Sequence, residues 1–363
     1  MDLSRYQLFF DALKTRAQKV NSMIFNGDYR HKFAPKHLNE AVYSYFELGG
    51  KALRPGVLLF SCGAVGGEEE KALPAAAGLE AYHTWTLVHD DIIDRDRIRR
   101  GGATVHQRFA DVALKEMGCA PENAVHYGMT MGILAGDVQH GWAVSFFGHL
   151  KERGVSPELT LKLIIELESV VLPLLLEGET LDVQFEYMPL AELSQEMVLD
   201  MLWKKTGALY RFAGMTGAMI GLNSTDRNHP LVKALSQYTS NCGLAFQLVD
   251  DILGLLGDEE ILGKPVGSDI REGKRTVIAL YGWSQANPAK RKYIERVLGD
   301  PEASEDSVKE VIGLLQSLGG VEFAKERACA LVQEAKHELD HIEESEYKRL
   351  LEMWGNFVLE RDY

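Results

Sequence analysis

The chain has only four cysteines, Cys62, Cys119, Cys242 and Cys329, and they lie too far apart for a CxxC pair or a zinc-type spacing. They are expected to be reduced, buried thiols in a cytoplasmic protein. Long apolar runs are also missing. The run Val170 to Leu176 ends at Glu177, too short to span a bilayer, and no run of 18 apolar residues occurs, so no membrane span is expected. The first 21 residues carry Arg5, Asp11, Lys14 and Arg16 and have no apolar signal-peptide core. An excess of positive charge is absent: the net charge is −14, which excludes a general nucleic-acid binder. Strand-like alternation is scarce, and there is no solenoid repeat, no low-complexity linker and no Gly-rich nucleotide loop, which argues against ATP.

What remains is helix. Leu8, Phe9, Leu13 and Val20 form one apolar face, Ala41, Tyr45 and Leu48 another, and Leu161 to Leu176 make a long apolar helix. Breakers gather at Gly49-Gly50, Gly66-Gly67, Gly101-Gly102, Gly263-Lys264-Pro265 and Gly319-Gly320, which read as connections. Segments 112–126 and 286–308 read as surface turns. The pattern predicts one all-α domain over 1–363, larger than a four-helix bundle, with a charge-rich helical part at 302–363 that serves as a peripheral cap or a partner surface.

Two acidic clusters stand about 160 residues apart on helical stretches. The first is Asp90-Asp91-Ile92-Ile93-Asp94, the second Asp250-Asp251 after Phe246-Gln247. Asp90 and Asp94 share one helical face, with His83 two turns back. A solvated acidic stripe is the plain alternative, but Leu87, Val88, Ile92 and Ile93 hug the cluster and predict partial burial. Two unit charges 4 Å apart interact by about 4 kcal/mol at an effective dielectric of 20. Crowded carboxylates therefore call for cations, and Mg²⁺ typically bridges one or two of them to substrate phosphates.

Cationic groups accompany each cluster. Arg99-Arg100-Gly101 follows the first, and guanidinium forks suit phosphate oxygens. Taken alone this turn reads as a solvated helix end, and Gly49-Gly50-Lys51-Ala52-Leu53-Arg54 as a surface loop. Lys204-Lys205-Thr206-Gly207 by itself suits a helix C-terminus. The neighbouring carboxylates give these cations their meaning.

Taken together and in order, Gly50-Lys51 with Arg54, His83, Asp90-Asp91-x-x-Asp94 with Arg99-Arg100-Gly101, Gly136-Asp137, Lys205-Thr206-Gly207, Phe246-Gln247 with Asp250-Asp251, and Gly263-Lys264 through Asp269 to Lys274 resemble the trans-isoprenyl diphosphate synthases of the polyprenyl synthetase family. The motifs cover residues 49–276. The resemblance implies an all-α isoprenoid-synthase bundle with a central cavity. It implies Mg²⁺, three ions per site, held by Asp90, Asp94 and Asp250 with Asp91 and Asp251 in support. Arg99, Lys205, Lys264 and Lys274 would grip an allylic diphosphate, and Lys51, Arg54, His83 and Arg100 isopentenyl diphosphate. Thr206 and Gln247, with Lys205, would face the developing carbocation. Arg361 is expected in a frayed tail, with closure over isopentenyl diphosphate as the alternative. A homodimer is expected.

Three positions depart from the family pattern: Gly254 where a third Asp is common, Glu179 where Gln is common before Asp182, and Ala52 where Arg is common. Glu179 is expected to retune the metal site. By the same resemblance Trp85, five residues before the first Asp and about 7.5 Å down the helix, limits chain length with help from Tyr82. On an ideal helix Thr86, not Trp85, shares the Asp90/Asp94 line. The expected reaction is head-to-tail condensation to a C20 product, geranylgeranyl diphosphate, with farnesyl diphosphate or a longer product as alternatives. A terpene cyclase would not need a second diphosphate pocket, and a non-catalytic partner subunit would not need Asp90, Asp91 and Asp94.

Overall fold

The computed structural model describes residues 3–26, 28–257 and 267–361, and within them the all-α expectation holds. Helices α1 (Gln7–Asn26), α2 (Lys36–Glu47), α3 (Leu53–Ala64), α4 (Glu69–Ile93), α5 (Val105–Glu116) and α6 (Pro121–Gly148) form the first half. A two-stranded hairpin, Ile98–Arg99 with Gly102–Ala103, links α4 to α5. Next come α7 (Pro157–Glu166), α8 (Leu172–Glu186), α9 (Gln195–Leu202), α10 (Ala208–Gly221) and α11 (Pro230–Leu256). Helices α12 (Val277–Gln285), α13 (Pro288–Val297), α14 (Glu305–Ser317), α15 (Gly320–Glu338) and α16 (Glu346–Glu360) complete the chain. No helix among the described residues is long and apolar enough to cross a membrane.

Several helix starts are written in the side chains. Ser156, Ser194, Thr276, Asn287 and Ser345 each accept a backbone N–H three residues on, offsetting a donor the helix cannot satisfy. Asn287-Pro288 corrects the expected turn at 286–308: the proline is the first residue of α13, where its fixed φ favours a helix. Pro121 likewise begins α6, so the turn expected across 112–126 shrinks to 117–120.

The long apolar helix predicted over 161–176 carries a π-helical turn at Leu167–Val171 between α7 and α8. A second π-turn, Trp203–Gly207, joins α9 to α10 and carries Lys205 and Thr206. Such turns favour functional sites because the extra residue re-aims side chains.

Buried apolar side chains from Tyr6 to Val358 make one contiguous cluster. The C-terminal part is integral to it. Helix α15 packs along α11, and α16 lies against α1, α3 and α11. Trp354 stacks near Tyr210 and Tyr238 with ring centroids 5.3 and 5.9 Å away, and Phe357 meets Tyr6, Phe9 and Phe10. This anchoring directs the chain end toward the middle of the bundle.

Candidate active site

A cavity of about 720 Å³ opens between α4, α8, the α9–α10 π-turn, α11 and the hairpin. One wall is α4. Glu80, His83, Thr86, Leu87, Asp90 and Asp94 line it, the three- and four-residue spacing of a single helical face. Burial, then the charges of Glu179 and Asp94, push the Asp90 carboxyl up to about 8 against the pull of Lys205.

Asp91 does not share that face. It is fully buried and accepts from Arg99 Nε at 2.9 Å, from Arg99 Nη2 and from the Tyr45 hydroxyl. Its place is behind the cavity-lining side of α4, where it orients Arg99. One helix presents neighbouring residues about 100° apart, so Asp91 cannot join Asp90 and Asp94. Arg99 reaches the cavity, yet its guanidinium is engaged by Asp91 and by Asp96, 3.3 Å from Nη2.

The facing wall is α11, with Phe246, Gln247, Asp250, Asp251 and Gly254 on the cavity. Thr206 Oγ1 donates to Gln247 Oε1 at 2.9 Å, and Gln247 Nε2 donates to Asp251 Oδ1 at 3.0 Å. This relay fixes the Gln247 amide between the π-turn and the second acidic cluster. Asp251 Oδ2 has no hydrogen-bond partner among the described residues, and burial raises its carboxyl well above the ordinary range. A Cβ on Gly254 would lie 3.0 Å from Asp269 Oδ2. Asp269 thus brings a carboxylate to the space that a side chain at position 254 would enter.

Two lysines sit between the walls. Lys205 Nζ is 2.7 Å from both Glu179 Oε2 and Asp182 Oδ2. Lys274 Nζ is 2.7 Å from Asp94 Oδ1, 3.2 Å from Asp182 Oδ2 and 2.8 Å from Glu186 Oε1. Burial alone would raise the Asp182 carboxyl, but Lys205 and Lys274 hold it below the carboxylate range. Burial likewise opposes both ammonium charges, and the surrounding carboxylates raise them regardless. The departure at Glu179 adds a negative charge that pairs with Lys205.

At the other end lie the remaining cations. Arg99-Arg100-Gly101-Gly102 is a hairpin whose central residues, Arg100 and Gly101, have φ of 53° and 74°. Two positive φ values in a two-residue loop make the primed turn that matches strand twist. The predicted solvated helix end is therefore a β-turn. Arg99 points back to Asp91, while Arg100 Nη1 donates to the carbonyls of Tyr45, at 3.2 Å, and Gly49.

A Cβ on Gly50 would fall 2.8 Å from the Arg100 guanidinium, so a side chain here would push that group aside. Ala52, also at positive φ (47°), starts α3 and places Arg54 against the Tyr210 ring and 2.9 Å from His83 Nε2. Burial, then Arg54 and Arg100, hold His83 well below its usual range, so it is neutral. Lys51 lines the same end.

The sequence did not single out Glu80, although it lies three residues before His83 on the same face. It is buried beside Arg100 and Arg54. Nor is Arg361 a frayed tail: its side chain is 2% exposed and its Nη2 is 2.6 Å from Asp250 Oδ1. Lys264 lies outside the described residues. Trp85 and Tyr82 do not line the cavity. They face α6, where the Trp85 ring is 5.0 Å from Tyr82 and 4.7 Å from His140 and its Nε1 donates to His89. Thr86 and Leu87 take the cavity side at that level, with Leu175, Met201 and Leu202 opposite. The helical repeat is the reason, as Trp85 lies about 140° around α4 from Asp90.

No three acidic or imidazole groups among the described residues converge as a closed metal cage. Mg²⁺ does not ask for one. It keeps several waters and binds through one or two carboxylates plus substrate phosphates. Oxygen-only donors on two facing walls, and the orphaned Asp251 Oδ2, fit that ion.

The polyprenyl synthetase family model matches residues 35–315. A geranylgeranyl diphosphate synthase of Sulfolobus acidocaldarius is 36% identical over 308 residues, covering 84% of this chain and 83% of that protein. A geranylfarnesyl diphosphate synthase of Aeropyrum pernix is 33% identical over 331 residues, covering 90% and 95%. The crystal structure of a geranylgeranyl pyrophosphate synthase from Corynebacterium glutamicum, complexed with isoprenyl diphosphate and magnesium, superposes with a TM-score of 0.81 at 28% identity, covering 99% of this chain and 100% of that one.

Proposed function

This chain belongs to the polyprenyl synthetase family and is a trans-prenyltransferase, and from that premise we propose that it condenses isopentenyl diphosphate with allylic diphosphates to geranylgeranyl diphosphate. The observation that supports this reading is one cavity lined by a carboxylate-rich part with its own lysines and by a separate cluster of cations. Asp90, Asp94 and Asp250 with Lys205 and Lys274 form the first, and Arg54, His83 and Arg100 form the second. A cyclase that ionises a single diphosphate has no use for the second.

Mg²⁺, three ions in our reading, would be held by Asp90, Asp94 and Asp250, and when bound it supplies the positive charge that draws off the allylic diphosphate. Lys205 and Lys274 add fixed charge at the leaving group. Arg54 and Arg100 hold the second diphosphate, and neutral His83 donates to it without adding to their repulsion. The Gln247 carbonyl and the Thr206 hydroxyl turn their oxygen dipoles toward the allylic cation. The double bond of isopentenyl diphosphate attacks that cation, and a proton lost to the departing diphosphate gives a chain five carbons longer. Closed apolar walls at Leu87, Leu175, Met201 and Leu202 exclude water from the cation and house the tail.

We place the enzyme in the reducing cytoplasm, where its four free cysteines are stable. We also propose a homodimer. Val125, Met129 and Ile133 repeat every four residues along α6 and are 40–57% exposed, with Leu114 and Met117 of α5 beside them. An apolar stripe of this kind on an otherwise acidic protein calls for a partner.

Incubation of the purified protein with Mg²⁺, isopentenyl diphosphate and C5, C10 or C15 allylic diphosphate tests the proposal. A C20 product is expected. A C15 or C25 product keeps the enzyme and revises the pocket. Diphosphate release from an allylic substrate alone would point to a cyclase, and complete inertness to a partner subunit.

A further inference from the structure

Arg361 occupies a position on Asp250 that a metal ion would need. Arg361 N donates to Phe357 O at 3.0 Å, so the residue continues the end of α16. Its side chain turns inward. Nη2 lies 2.6 Å from Asp250 Oδ1 and 2.6 Å from the Phe246 carbonyl, and the guanidinium carbon is 3.6 Å from the Phe246 ring centroid. Asp250 itself is 43% exposed, and the arginine takes its Oδ1. The fit is incomplete, because Arg361 Nε is buried with no hydrogen-bond partner among the described residues. A buried arginine normally satisfies its donors. Lys51 is also near enough for the Arg361 charge to lower its proton affinity, after burial.

We propose that Arg361 is a tethered counter-ion that competes with the divalent cation for Asp250, so that loading metal and diphosphate displaces the guanidinium and loosens the last turn of α16. The proposal rests on the assignment of Asp250 as a metal ligand. A divalent ion and a guanidinium within hydrogen-bonding range of the same oxygen repel strongly in a partly desolvated site, so one must yield. Arginine cannot yield by losing its proton; it must move. It lies just past the last turn of α16 with an extended backbone, so its movement need not shift the packed body of that helix.

The test is a calorimetric titration of Mg²⁺ into the full-length protein saturated with inorganic diphosphate, for wild type, Arg361→Gln and Arg361→Lys, with hydrogen exchange read over residues 354–361. Arg361→Gln is expected to lower the half-saturating Mg²⁺ concentration about tenfold. Arg361→Lys, which keeps a cation, is expected to stay near wild type. In wild type the amides of Phe357 to Arg361 are expected to exchange faster once loaded. Equal half-saturation in Arg361→Gln and wild type, or added protection of the last turn on loading, overturns the proposal alone. No magnesium-dependent uptake in any of the three proteins overturns it together with the functional reading.

Discussion

Lys274 and Asp94 are 180 residues apart in the chain, and their side chains meet at 2.7 Å. The same ammonium touches Asp182 and Glu186 on α8, so one cation ties α4 and α8 to the segment before α12. Lys205 and Arg361 serve Asp182 and Asp250 in the same manner. Asp94, Asp182 and Asp250 are thus paired from within the cavity by tethered cations.

Lys274→Met should expose that dependence. Three carboxylates would lose their shared partner, and breaking a buried pair costs about 3 kcal/mol. The measurement is the urea midpoint. Mg²⁺ with inorganic diphosphate should restore more stability to the variant than it adds to wild type, because binding to the folded state alone stabilises it. Equal stabilisation would show that the cluster does not need the lysine.

Arg100→Lys should separate the two substrates. Lysine cannot reproduce a planar guanidinium that spends Nη1 on the Tyr45 and Gly49 carbonyls and keeps its other N–H groups for a diphosphate. The KM for isopentenyl diphosphate should rise about tenfold, with the KM for the allylic substrate unchanged. Equal rises in both would place Arg100 at the shared wall.

Burial also sorts the thiols. It pushes Cys62 and Cys242 up to about 12, with Glu69 adding to the effect at Cys62. The thiolate is the reactive form, so at pH 8 both stay protonated and inert. Cys329 is exposed and Cys119 partly so. A thiol reagent should therefore modify two residues quickly in the native protein and four after unfolding. Fast reaction of Cys62 would mean that α3 does not pack as described.

Much of the site was legible because helical periodicity is local. Asp90, Asp94 and His83 could be placed on one face from spacing alone, and the cations followed once the acidic clusters gave them a purpose. The misreadings have physical causes as well. The segments 112–126 and 286–308 read as surface turns, yet proline at the first helical position, as at Pro121 and Pro288, starts a helix. The primed turn at Arg100-Gly101 was not legible, because positive φ at an arginine is invisible in composition. Arg361 depends on where α16 lands, a tertiary fact fixed by Trp354 and Phe357. The π-turns that aim Lys205 and Thr206 have no known local signal, and nothing in residues 203–207 announces one.

Chain length gives the sharpest contrast between a family expectation and the geometry. Trp85 faces α6 among Tyr82, His89 and His140, while Thr86 faces the cavity on the Asp90/Asp94 line. The growing tail should therefore meet residue 86 before residue 85. Thr86→Phe narrows the passage and is expected to shorten the main product by one five-carbon unit. Trp85→Phe keeps the aromatic packing against α6 and should leave product length unchanged. Chromatography of the dephosphorylated products decides. A longer product from Trp85→Phe with no effect at Thr86 would mean that the tail reaches the α4–α6 seam, and that the cavity deepens when substrate enters.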